Sequence, residues 1–163
     1  MILAQTFAKN KALLAILLTS FLLSFGYSIY YKIQPKVDAL AYDNIAWNLA
    51  SGNGYRESAT VSIEEDNAIA RVGPLYEYFL AVIYKIFGHN FMPVWFLQAL
   101  LHAMSAFLVY KICLATFKTH ESVERLALWA AGIFGFYPDL IEIGAMLLTE
   151  TLYLFLFCLM LYL

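Results

Sequence analysis

Residues 12–31 read ALLAILLTSFLLSFGYSIYY, twenty consecutive positions without a charge. At 1.5 Å per residue such a run makes a helix of about 30 Å, the thickness of a bilayer's hydrocarbon core. Lipid offers the backbone no hydrogen-bond partners, so the run must be a helix that satisfies itself. Further along, Ile86 to Tyr110 is 25 residues whose only titratable imidazoles are His89 and His102, with no acid, lysine or arginine before Lys111. Two shorter apolar runs follow, Leu126 to Tyr137, closed by Pro138, and Ile143 to Leu163. The pattern predicts an all-α polytopic transmembrane bundle of about four spans, at 12–31, 92–115, 126–137 and 143–163. The intervening loop, 32–91, is expected to carry interfacial helices.

Composition agrees. Hydrophobic residues make up 63% of the 163 and charged residues 13%, with a mean hydropathy of +0.70. Soluble proteins carry roughly 45–50% apolar and about 25% charged residues. A soluble globule of this length cannot hide so much apolar surface, which excludes a cytosolic enzyme and a disordered chain. A formal net charge of −2 excludes a nucleic-acid-binding module, and two cysteines exclude a disulfide scaffold.

The charges cluster. Residues 32–77 hold 11 of the 22 acidic and basic side chains. Lys9 and Lys11 precede the first span, and Lys111, Lys118 and Arg125 surround the exit of the second. Positive residues favour the cytoplasmic side, so the N-terminus and the 116–125 connection are expected inside a cell membrane. Segment 32–91 is then extracytoplasmic. The first run exceeds a signal peptide's 7–15-residue apolar region, and Ser24-Phe25-Gly26 is a poor cleavage site, so retention as a span is expected. The chain ends inside its last apolar run, which suggests the N-terminal segment of a larger polytopic protein.

Within the loop, Val37 to Ser51 reads as a helix with Asp38 as its N-cap and Gly52 and Gly54 at its stop. Leu40, Ala41, Ile45 and Leu49 form a face suited to the membrane surface, with Asp38, Tyr42 and Ala46 beside it. The Gly-x-Gly at 52–54 follows no strand, so it is no dinucleotide fingerprint. Residues 56–70 are polar, suited to an exposed hairpin or a mobile segment. Pro74 suits the first position of a second interfacial helix and Gly88 the position past its end. Leu75, Phe79, Val82, Ile83 and Ile86 share one face of it, while Tyr76, Tyr78, Tyr84 and Trp95 fit an aromatic belt at the water boundary.

Three acids are candidates for chemistry. Asp38 follows the first span at a helix start, where the dipole favours a carboxylate poised as a general base, the alternative being a plain cap. Glu150 falls seven residues into the predicted fourth span, where an acid is expensive and faces a cavity or partner. Asp139 follows Pro138 in a loop, where a solvated charge is ordinary. Arg71, between loop and interfacial helix, is suited to a phosphate. Gln98 and His102, with Ser105 close by, read as hydrogen-bonding groups between helices rather than metal ligands. Ser20, Ser24 and Ser28, and Gly132 with Gly135, read as close-packing positions. Cys113 and Cys158 read as inert small apolar residues. No metal-ligand spacing, catalytic Ser/His/Asp arrangement or P-loop is present.

In order, the motifs are the first span, Asp38-Ala39-Leu40-Ala41-Tyr42-Asp43 through Ser51-Gly52-Asn53-Gly54-Tyr55, then Arg71-Val72-Gly73-Pro74-Leu75-Tyr76, Ile86-Phe87-Gly88, Tyr137-Pro138 and Leu148-Thr149-Glu150. Together they make a chain that resembles the N-terminal part of the GT-C membrane glycosyltransferases, above all the protein O-mannosyltransferase and lipid A aminoarabinose transferase group. The resemblance implies a sugar donor carried on a polyprenyl phosphate or diphosphate, and transfer with inversion outside the cytoplasmic membrane. It maps the catalytic base onto Asp38, a further acid onto Glu150 and the lipid-phosphate pocket onto Arg71 and Pro74. Tyr42, Tyr55 and Tyr76 join Arg71 as donor-binding candidates. Many members carry two adjacent acids where this chain has Asp38-Ala39, which leaves the second role unfilled or moved to Asp43, with Asp139 a further candidate. The implied partners are the polyprenyl-linked donor, membrane lipids and an acceptor of unspecified class, with no nucleic acid. No resident cofactor is called for, and a divalent metal is left open. The competing readings are a non-enzymatic membrane protein, such as a transporter piece or lipid-binding scaffold using Glu150 as an ion site, and an inactive fragment.

The topology has a direct test. An epitope tag inserted after Asn67 is expected to react with membrane-impermeant reagents on intact cells, and protection of the tag reverses the assignment.

Overall fold

The computed structural model describes residues 10–60, 62, 65–66 and 73–163. Among these, every regular element is a helix. The helices are α1 (Lys11–Tyr31), α2 (Asp38–Ala50), α3 (Pro74–Phe87), α4 (Phe91–Thr116), α5 (Val123–Gly135), α6 (Pro138–Ala145) and α7 (Glu150–Tyr162). Helices α1 and α4 are long and apolar enough to cross a membrane, and α5 with α6 forms a third such unit bent by 47°. Helix α7 is a shorter apolar helix of 13 residues.

The runs read as the third and fourth spans are built from three helices, α5 starting before Arg125 and α6 and α7 dividing residues 138–162. Pro138 lies at the bend between α5 and α6. It stands in the first turn of α6, where its missing N–H costs nothing. The chain then leaves helix at Met146, which is extended (φ −89°, ψ 154°), and resumes at Glu150. Glu150 is thus the first residue of its helix, with an exposed side chain.

Helix α4 is the axis of the bundle, packing on α1, α5, α6 and α7 along its length and on α3 at its start. The expected small-residue seam is present. Ser20, Ser24 and Ser28 are fully buried on one face of α1, while Leu18, Leu22 and Leu23 on the rest of its surface are exposed. A Cβ placed on Gly135 would lie 3.1 Å from Ser20 Cβ and Oγ, and one on Gly144 would lie 3.2 Å from Ser24 Oγ. Gly132 meets only Phe136 instead, so Gly135 alone of that pair makes the contact with α1. At the foot of the seam Asn10 caps α1 by accepting from Leu13 N at 3.0 Å, and its amide donates to Glu124 at 2.9 Å.

Helices α2 and α3 pack against each other. Their faces depart from expectation. Tyr76, Tyr84 and Trp95 are buried rather than belted at a water boundary, at 2%, 1% and 5% exposure. Leu75, Val82 and Ile86 face outward. Tyr76 and Tyr84 turn inward because each hydroxyl has a buried acceptor waiting, described below. Ala41 and Ile45 are likewise sealed within protein, leaving Leu40 outermost. The exposed hairpin or mobile segment expected over 56–70 falls partly outside the described residues, and those described within it form no strand. Its described start is organised by Asn48, whose amide donates to the Arg56 and Glu57 carbonyls at 3.0 and 3.3 Å, and by Asp66, which accepts from Glu57 N and Ser58 N.

Overpacking the seam is expected to be costly. Gly135→Val should destabilise the bundle by about 1–3 kcal/mol, read as a lower melting temperature in detergent, because the side chains of Ser20 and Ala106 leave little space for the added carbons.

Candidate active site

The site begins at a strained turn. Residues 32–37 strap the end of α1 to the start of α2, and two non-glycine residues in them have positive φ: Lys32 at 47° and Val37 at 51°. A β-branched residue there is a genuine outlier, and such positions cost of order 1–3 kcal/mol each. Val37, not Asp38, occupies the cap position, and Asp38 is the first helical residue. Its side chain is exposed and accepts no hydrogen bond from the described residues, which removes the plain-cap reading of it.

One turn on, Tyr42 is half-buried and gathers the acids. Burial raises its phenol above the usual range, and the charges of Asp38, Glu77 and Glu150 raise it further, while a hydrogen bond with Thr149 works the other way. The charges of Asp38 of α2 and Glu150 of α7 both act on this phenol, although 112 positions separate them in the chain. Both acids stand in the first turn of a helix, where the macrodipole favours negative charge. Thr149 Oγ1 donates to Glu150 Oε2 at 3.3 Å.

Beneath Tyr42 lies Tyr76, edge-on at 5.6 Å between ring centroids. The Tyr76 hydroxyl donates to Gln98 Oε1 at 2.5 Å, and the Gln98 amide donates to the carbonyls of Gly144 and Met146, both at 2.8 Å. Sequence reading assigned Gln98 an interhelical hydrogen bond, and it makes three. His102 likewise meets the Gly135 carbonyl at 3.1 Å, at the bend between α5 and α6. Burial pushes the Tyr76 phenol well above its usual range. Being sealed and committed to Gln98, Tyr76 supports Tyr42 from below rather than meeting a donor itself.

Glu77 was not singled out from the sequence. Its side chain is fully buried in α3, and neither carboxylate oxygen completes a hydrogen bond among the described residues. Burial raises its pKa, and the facing Tyr55 phenol offsets part of that effect. The same burial, with the charge of Glu77, raises the pKa of Tyr55. The periodicity did hold a signal. Tyr76, Leu80, Tyr84 and Glu77 lie on one face of α3, but the competing face of Leu75, Val82 and Ile86 is more apolar, and lipid can take that face as readily as a protein core can.

The remaining candidates separate. Asp43 is buried on a different side of α2 and accepts from the Tyr84 hydroxyl at 2.6 Å. His89 Nε2 lies 2.8 Å from the same oxygen, its ring stacked 4.9 Å from Trp47. With Oδ1 engaged by two partners, Asp43 anchors α2 to the α3–α4 junction. Asp139 is exposed at the start of α6, and no interaction among the described residues joins it to the cluster. Arg71 lies outside the described residues. No group of three or more metal-ligating side chains occurs among them.

Residues 71–163, more than half of the chain, match the family model described as dolichyl-phosphate-mannose-protein mannosyltransferase. The match takes in α3 to α7 and leaves Asp38 and Tyr42 outside it. No curated protein and no solved structure matches the chain.

The state of Glu77 gives a pH prediction. A carboxyl whose pKa is raised on folding contributes stability that is full below its unfolded value and lost as pH rises through its folded value. Thermal stability in detergent should therefore fall as pH rises out of the acid range. Glu77→Gln should flatten that fall, and an unchanged profile would show that Glu77 stays ionised.

Proposed function

Because the chain belongs to the dolichyl-phosphate-mannose-protein mannosyltransferase family, we propose that it carries the base of a membrane glycosyltransferase that moves a sugar from a polyprenyl-phosphate carrier to an acceptor hydroxyl. The observation that carries the reading is that Asp38 and Glu150 each stand exposed in the first turn of a helix, Asp38 just after a strained strap, with the neighbours Ala39 and Leu148 lining one cleft. A carrier lipid keeps its chain in the bilayer and its sugar at the surface. The reacting carbon therefore lies where apolar helices give way to exposed carboxylates.

In this mechanism the acceptor oxygen attacks the anomeric carbon from the face opposite the phosphate. Asp38 takes the proton from that oxygen as the new C–O bond forms. The bond from the anomeric carbon to the phosphate oxygen breaks, and the polyprenyl phosphate leaves with its electron pair. The product is inverted at that carbon. Glu150, held by Thr149, orients the acceptor or the groups around Asp38. Tyr42 and Tyr55 border the donor side, and Arg71 steadies the departing phosphate. The reaction is assigned to the extracytoplasmic face of the cell membrane, with the N-terminus cytoplasmic.

The test is Asp38→Asn in the full-length gene product. Transfer from a polyprenyl-phosphate sugar should fall by about 100-fold or more, the usual share of a general base. Undiminished turnover would refute the assignment.

A further inference from the structure

A groove stands at the other end of the bundle from Asp38. Helix α5 begins beside the start of α1, where the Asn10 amide donates to Glu124, whereas Asp38 follows the end of α1. Between α1 and the outer face of α5, Ile16, Arg125, Trp129, Gly132, Ile133 and Phe136 line about 520 Å³ that reaches the α5–α6 bend at Pro138. Trp129 and Ile133 are exposed, so this face of a membrane unit meets lipid or another chain. From Arg125 to Phe136 the groove follows α5 for about 16 Å, half of the roughly 30 Å hydrocarbon core. Gly132 gives it depth. Sequence spacing pairs Gly132 with Gly135 as a close-packing position, yet a Cβ on Gly132 would meet only Phe136, at 3.9 Å, and no other helix. A larger side chain at 132 would project into the groove instead.

Among the described residues Arg125 is the only charged group that lines the groove. Its Nη2 donates to Ser122 Oγ at 2.7 Å, which draws the guanidinium toward the start of α5, and it makes no ion pair among those residues. The adjacent Glu124 has its Oε1 engaged by Asn10 at 2.9 Å. A groove one leaflet deep, apolar along its length and cationic at its mouth, matches one acyl chain below one phosphate. A guanidinium grips phosphate oxygens in pairs. A head group carrying its own ammonium sets a second cation beside Arg125, so a net negative one is preferred. A spanning helix from another chain would cross both leaflets, whereas the groove stops at the bend. We propose that this groove binds an anionic glycerophospholipid, with its phosphate on Arg125, Trp129 at the level of the head group and one acyl chain lying over Gly132 as far as Phe136. The site is the length of α1 away from Asp38, and it stands whether or not the glycosyl-transfer reading does.

The experiment is native mass spectrometry of the full-length gene product, with phosphatidylglycerol and phosphatidylcholine of equal chain length competing in one sample. Phosphatidylglycerol should be retained about 5-fold better, the contribution of one cation at a membrane surface. Arg125→Gln, a change at an exposed side chain, should remove that advantage and leave phosphatidylcholine retention unchanged. Arg125→Lys should keep most of it. Gly132→Leu should lower retention of both lipids, with a melting temperature in detergent equal to or above the native one, because leucine favours helix over glycine. Equal retention of the two lipids by the native protein overturns the proposal, and so does an undiminished advantage in Arg125→Gln. A fall in melting temperature for Gly132→Leu as large as that for Gly135→Val would make Gly132 a packing position and remove the groove. A dimer cross-linked through cysteines placed at Ile133 would assign this face to a second copy of the chain and overturn the lipid site as well.

Discussion

Gln98 holds together what the rest of the molecule needs in one place. The chain breaks helix between Ala145 and Glu150 against apolar neighbours, and such a break exposes carbonyls that lipid cannot satisfy. The Gln98 amide takes two of them, at Gly144 and Met146. Its oxygen takes the Tyr76 hydroxyl from α3. One side chain thus fixes where Leu147 to Glu150 run and which way α3 is rotated. That rotation buries Glu77 beside Tyr76, and the run of the chain brings Glu150 to Tyr42.

The acids divide by environment rather than by type. Asp43 is buried and answered by Tyr84 and His89, so its charge is used up in fastening α2 to the α3–α4 junction. Asp38 and Glu150 are exposed at helix starts, with dipoles that favour their charge and no strong partner among the described residues. Glu77 is buried without a cation among those residues, which favours its neutral form. Three states of one functional group within a few helical turns leave the exposed pair as the groups available to a substrate.

The family match and the cluster cover different halves of the same arrangement. The matched residues build the frame, with α4 as axis and the broken unit α5–α6 beside α1. The proposed base and its strap stand before the match begins. The strap is the part under backbone strain, at Lys32 and Val37. Strain of that kind persists only when packing on both sides over-determines it, here from α1 and α2.

Hydropathy alone was enough to establish an all-helical membrane protein, because lipid imposes its demand locally, residue by residue along a run. Turn chemistry was read as easily. Pro74, Gly88 and the left-handed glycines at 52 and 54 stand where their backbone freedom is needed. The serine seam on α1 also followed from spacing. Two matters waited on three dimensions. One was which face of α3 turns inward, since an apolar face seeks lipid and protein equally and only the distant acceptors on Gln98 and Asp43 break the tie. The other was the company each acid keeps: Glu150 looked deep because its run is apolar, yet the chain leaves helix at Met146 and restarts at Glu150, which puts that residue exposed at a helix start of its own.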